Sequence, residues 1–170
     1  MRRVLDALYD AAAWLAALMM VGVLVMVLLS IAGRQLHFHL PGTDAYAGYL
    51  MAGSGFLALA HTLKRGEHIR VTLLLQALKG TPRRAMELWS LSVAGLLAIA
   101  FAFYAIKLAW QSHAFNDVST SNDATPLWIP QIGMAVGAVL LAVALIDDWV
   151  LALRGRTVER APDAEPLRNE

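Results

Sequence analysis

Four stretches of this chain contain no Asp, Glu, Lys or Arg: residues 11–33, 45–63, 88–106 and 124–146, of 23, 19, 19 and 23 residues. At a helical rise of about 1.5 Å per residue, 19 residues reach roughly 29 Å and 23 reach roughly 35 Å, enough to cross a hydrocarbon layer of about 30 Å. Few soluble folds accommodate four such stretches in 170 residues. Composition agrees: 58% of residues are hydrophobic and 16% charged, against roughly 45–50% and about 25% in globular domains. We expect an all-α integral membrane protein with four transmembrane helices. Residues 1–154 then form one membrane domain, and the aperiodic Pro-, Glu- and Arg-containing residues 155–170 form a disordered tail.

The basic residues predict orientation. Arg2 and Arg3, then Lys64, Arg65, Arg70, Lys79, Arg83 and Arg84, then Arg154, Arg156, Arg160 and Arg168 fall on one side, with only Arg34 and Lys107 on the other. By the positive-inside rule both termini are cytoplasmic. The tryptophans sit at span ends, Trp14, Trp89 and Trp149 on the inner side and Trp110 and Trp128 on the outer, as expected of headgroup-level anchors. The apolar run after Met1-Arg2-Arg3 is longer than a signal-peptide core and shows no cleavage site, so it reads as a retained first helix.

The connecting segments differ in character. Residues 37–44 form a short outer turn broken by Pro41-Gly42, with Thr43 or Asp44 suited to cap the second helix. Residues 113–123 form a polar outer loop. Between spans two and three, His68, Thr72, Gln76 and Lys79 recur at helical spacing among Ile69, Val71, Leu73, Leu74, Leu75 and Leu78. That pattern predicts an amphipathic interfacial helix.

The span centres lack the ionisable groups with which autonomous carriers handle ions at the midplane; Ser54, Ser92 and Tyr104 are their only polar side chains. Ser54, within Gly53-Ser54-Gly55, has no His or Asp at matching depth and is no nucleophile candidate. The five histidines are not placed as paired haem ligands, and His37-x-His39 lacks a third metal ligand. With no Cys there is neither thiolate chemistry nor a disulfide. We therefore expect no enzyme activity, no cofactor and no metal, and nothing indicates a nucleic-acid partner. Small residues are plentiful instead. Gly133 and Gly137 make a GxxxG, Gly48 and Ala52 a small-xxx-small pair, and Ser90, Ala94, Ala98 and Ala102 a ridge on span three, all features that let helices approach closely in lipid.

Gly33-Arg34, Leu40-Pro41-Gly42-Thr43-Asp44, Tyr49-Leu50 and above all Lys64-Arg65-Gly66-Glu67-His68-Ile69-Arg70-Val71 resemble the small membrane subunit, DctQ type, of tripartite ATP-independent periplasmic (TRAP) transporters. Thr125-Pro126-Leu127-Trp128-Ile129-Pro130 is similar to that family's approach to its fourth span. One departure stands out: members commonly carry one or two carboxylates, mostly Glu, at the start of span two, and this chain has Asp44 followed by Ala45.

The resemblance implies a bacterial inner-membrane importer of three components. A periplasmic substrate-binding protein captures an organic acid, a large permease subunit (DctM type) carries it inward by an elevator movement driven by an ion gradient, usually sodium, and the small subunit braces the large one. Candidate residues follow from that role. Arg34 and Asp44 flank the outer turn and could clip spans one and two as an ion pair. Arg65, with Lys64, could cap the carbonyl end of span two or anchor to anionic lipid heads. Glu67 and His68 could organise the inner turn. Asp117 and Asp123 offer acceptors to a binding protein, Trp128 opens span four, and Gly133 and Gly137 supply a packing face. The competing readings are an anchor for a redox enzyme, which needs cofactor ligands, and a small self-assembling channel, which needs polar midplane residues.

Overall fold

The computed structural model describes residues 2–38, 40–65, 81–121 and 123–154. They form four helices, α1 (Arg2–Gln35), α2 (Thr43–Arg65), α3 (Thr81–Ala114) and α4 (Trp128–Leu153). No strand occurs among the described residues, only an isolated antiparallel bridge between Val118 and Pro126. Each charge-free stretch overlaps one helix. The helices overrun the stretches because charge halts membrane burial without halting backbone hydrogen bonding. At 34 residues each, α1 and α3 are about 51 Å long, well beyond the hydrocarbon layer. Residues 66–80 and 155–170 lie outside the described residues, and with them the expected amphipathic helix, the expected tail, Glu67 and His68.

Three helices are long and apolar enough to cross a membrane: Val4–Gln35, Pro82–Ala114 and Trp128–Leu153. Apolarity thus separates α2 from the others, where the sequence suggested four equivalent spans. With 23 residues α2 has the reach, about 34 Å, but Gly48, Gly53, Ser54, Gly55, His61 and Thr62 dilute its hydropathy. α2 packs against both α1 and α4, and α3 packs against α4 with Phe101 stacked on Phe56 of α2, so the main helix contacts run as a row, α1–α2–α4–α3. Both α2 and α4 thus meet protein on two sides, and both place small residues there.

The seams are built from those small residues. Ala12 and Ala16 of α1, Ala60 of α2, Ala98, Ala102 and Ala105 of α3, and Ala135, Ala138, Ala142 and Ala144 of α4 are all buried. The ridge anticipated on span three therefore turns inward at Ala98 and Ala102, while Ser90 stays exposed. Gly133 faces α2, where an added Cβ would stand 3.4 Å from the Gly53 Cα, and a Cβ on Gly137 would collide with the Phe56 backbone. Such closeness replaces the hydrophobic driving force, which lipid tails do not supply between helices. On the open side of α2, Gly48 has no neighbour within 4 Å of its Cβ position.

Contacts at the two ends of the row define the helix directions. Lys64 at the end of α2 meets Asp147 near the end of α4, and Arg84 at the start of α3 donates to the Leu153 carbonyl at 3.1 Å. His61 and Asp10 join α2 to the start of α1. The first and last described residues therefore share one end of the row, the terminus end. The α1–α2 turn and the α3–α4 loop share the opposite, loop end.

Candidate functional site

Polar chemistry gathers at the terminus end, around Lys64. Its Nζ lies 2.6 Å from Asp147 Oδ2 and 3.9 Å from Asp148 Oδ1, and stands 5.4 Å from the centroid of the Tyr9 ring. Three helices supply these groups. Asp148 is wholly buried and Tyr9 nearly so, at 0% and 2% exposure. One turn back, His61 Nδ1 is 3.3 Å from Asp10 Oδ1, tying α2 to α1 a second time. An ammonium shared by two carboxylates at the edge of a membrane is an adhesive between helices, because separating them would leave charge in a medium that solvates it badly. Trp149 of α4 ties the α3–α4 seam by donating from Nε1 to Ser92 Oγ of α3 at 2.8 Å.

From the sequence, Lys64 is expected at the carbonyl end of its own helix or at anionic lipid heads, and Asp147 and Asp148 carry no expected role. The structure turns Lys64 across the seam instead, since a carboxylate pair attracts it more strongly than partial carbonyl charges. A signal was available. Lys64 and Asp147 each stand one residue past the same-end limit of their charge-free stretches, so they share a depth.

At the loop end, the segment between α3 and α4 folds back on α2. The Ser119 N–H donates to the Thr125 carbonyl at 2.9 Å and the Leu127 N–H to the Asp117 carbonyl at 3.0 Å, closing the loop into a hairpin-like clasp. Tyr49 Oη donates to Asp123 Oδ2 at 3.2 Å, and the Thr125 and Tyr46 hydroxyls share a hydrogen bond of 3.1 Å. Those two tyrosines meet edge to face, ring centroids 6.1 Å apart. Hydrogen bonding from the Thr125 side chain, aided by Ser119 and Tyr49 and opposed by some desolvation, holds the Asp123 carboxyl below its ordinary range. Gly42 makes the approach feasible. Its φ of +83° suits glycine, and a Cβ there would come within 2.7 Å of the Asp123 Cβ, a position only glycine fills without strain.

The remaining residues singled out from sequence fall as follows. Arg34 and Asp44 are brought together through Ser30 rather than as a direct ion pair: the Arg34 guanidinium donates to Ser30 Oγ at 3.2 Å, and Ser30 Oγ donates to Asp44 Oδ1 at 3.2 Å. No direct contact of Arg34 with Asp44 within 4.0 Å occurs among the described residues. Ser30 stands one helical turn before Arg34 and faces α2, so its hydroxyl intercepts both groups. Arg65 is exposed in the last turn of α2. Asp117 has an exposed side chain, and Asp123, expected to face a partner, is half-buried against its own chain. Trp128 opens α4 with its ring edge-on to His113 at 5.2 Å. Gly133 and Gly137 are spent on the α2–α4 seam.

Polar clusters at both ends thus join parts of this chain to one another, while the outward faces between them are apolar. Leu24, Leu28, Leu96, Leu97, Phe103 and Ile106 are all exposed. Compared with known protein families, residues 23–155 match the model described as tripartite ATP-independent periplasmic transporters, DctQ component. None of the curated proteins compared with the chain matches it.

Proposed function

The chain belongs to the DctQ family of TRAP transporter components, and from that premise we propose that it is a non-catalytic brace for the large permease subunit. The observation that carries the reading is the division of its surface. Lys64, Asp147, Tyr49, Asp123, Ser92 and Trp149 are engaged within the chain, whereas broad apolar faces are left outward. A rigid row of helices with apolar flanks is suited to lie along a larger membrane partner and hold its fixed part while other parts move. All four helices cross the bacterial inner membrane in this reading, α2 shielded by its neighbours. The twelve basic residues on the terminus side against two on the loop side support cytoplasmic termini.

The loop end then faces the periplasm, where the α3–α4 clasp and the α1–α2 turn help dock a substrate-binding protein. Import of an organic acid on an ion gradient is the work of the assembly, with the coupling chemistry in the large subunit. The test is co-expression with its large permease subunit, affinity purification through one partner, and uptake in proteoliposomes with the cognate binding protein. We expect a stable one-to-one complex and loss of uptake without this chain. Full uptake by the large subunit alone would refute the assignment.

A further inference from the structure

At the loop end a cavity of about 520 Å³ opens between α1, α2 and their turn, lined by Ser30, Arg34, His37 and Asp44 on its polar side and by Leu29 and Phe38 on its apolar side. We propose that this cavity binds the phosphoethanolamine headgroup of a phospholipid. Three features point to a zwitterion attached to a lipid.

The first is charge. Arg34 and Asp44 stand side by side with the Ser30 hydroxyl between them, presenting a cation and an anion to the same space. A monoanionic headgroup meets attraction from one and repulsion from the other. A phosphate joined to an ammonium by two carbons can pair with both, its dipole antiparallel to theirs. The guanidinium suits phosphate by its planar fork of donors, with His37 beside it on the lining. Asp44 accepts hydrogen bonds, which an ethanolamine ammonium donates and a choline cannot.

The second is engagement. Among the described residues each side chain hydrogen-bonds to Ser30, at 3.2 Å, and both are exposed, which leaves further donors and lone pairs facing the cavity. The third is position. Arg34 lies in the last turn of a helix long and apolar enough to cross a membrane, one residue past its charge-free stretch, which puts the cavity at headgroup level. Directly below it the exposed Leu29, Leu28, Val25 and Leu24 of α1 form a track for an acyl chain. Headgroup binding at this cavity is independent of which face of the membrane the loop end occupies, and of the transport role proposed above.

The full chain, purified in detergent and stripped of lipid, is titrated with equal amounts of dioleoyl phosphatidylethanolamine, phosphatidylcholine and phosphatidylglycerol, and retained lipid is counted by native mass spectrometry. We expect about fivefold preference for phosphatidylethanolamine over each of the others, the size of one charge-assisted hydrogen bond in a partly solvated site. Asp44→Asn should abolish the preference over phosphatidylcholine and Arg34→Ala should weaken binding of all three lipids, while Arg34→Lys keeps part of it. Equal retention of the three lipids by the unmodified chain would overturn the proposal without recourse to any variant. So would a preference unchanged in Asp44→Asn, and displacement of the lipid by submillimolar glycerophosphoethanolamine would reassign the cavity to a soluble ligand.

Discussion

Replacing Lys64 with Met is expected to destabilise the helix row by about 3 kcal/mol, the low end of the roughly 3–5 kcal/mol lost when one partner of a buried ion pair is removed. The geometry sets that figure. At an effective dielectric constant of about 20, separations of 2.6 Å to Asp147 and 3.9 Å to Asp148 correspond to roughly 6 and 4 kcal/mol of attraction. Desolvation of the three groups cancels much of it, and the 23% side-chain exposure of both Lys64 and Asp147 lets water screen part of the rest. Asp148, at 1%, cannot be rehydrated in place, which is why a substantial cost survives. Met keeps an apolar stem of similar length, so the loss reports the charge rather than the packing. Unfolding of the detergent-solubilised chain by increasing SDS, followed by helical circular dichroism, should show the folded-to-unfolded ratio falling by about 150-fold. The triple variant Lys64→Met, Asp147→Asn, Asp148→Asn should recover more than half of the loss, since it removes the carboxylate charges together with their cation. A single variant within about 0.5 kcal/mol of the parent, the scale of an ordinary surface substitution, would refute this account. So would a triple variant less stable than the single one.

The other expectations concern the seams and the loop end. Gly137→Ala should cost about 1–3 kcal/mol in the same unfolding assay, the range for overpacking, because its Cβ meets the Phe56 backbone. Gly55→Ala, whose Cβ meets nothing within 4 Å, should be neutral or slightly stabilising. Tyr49→Phe removes the hydrogen bond to Asp123 and should lower stability by about 0.5–1.5 kcal/mol, with faster amide exchange over residues 115–127. Asp123 titrates below its ordinary value of 3.8 in the folded chain, so the stability it contributes is complete above that value and is lost as pH falls through the lowered one. Exchange in the clasp should therefore rise only below about pH 4, and Asp123→Asn should remove that dependence. The chain has no Cys, which makes sidedness directly measurable. A single Cys at Thr120 should react with a membrane-impermeant maleimide from the periplasmic face, and one at Arg154 only after the membrane is opened; the reverse pattern would invert the orientation proposed here.

The membrane class, the positions of the four described helices and the family resemblance were legible in the linear sequence because each depends on local properties. Residues 11–33 or 124–146 are apolar wherever their neighbours stand, and Lys64 to Val71 form a recognisable string before any folding. The two-sided distribution of Lys and Arg is likewise a property of chain order. Even the role of Gly133 and Gly137 as a close-packing face followed from their spacing of four, which puts both on one side of a helix.

What the sequence could not decide is which helix meets which, and every specific contact depends on that. The row α1–α2–α4–α3 makes neighbours of two parallel helices far apart in sequence, and so brings Lys64 to Asp147 across 83 positions and Tyr49 to Asp123 across 74. It makes Gly137 a contact of Phe56 and leaves Gly48 open, although both belong to small-residue patterns of the same kind. It also places Ser30 between Arg34 and Asp44, turning an anticipated ion pair into a relay over a cavity. Hydropathy is a sum over single residues and survives without a fold. An ion pair or a hydrogen bond requires two groups within about 3 Å, a condition that only the tertiary arrangement meets.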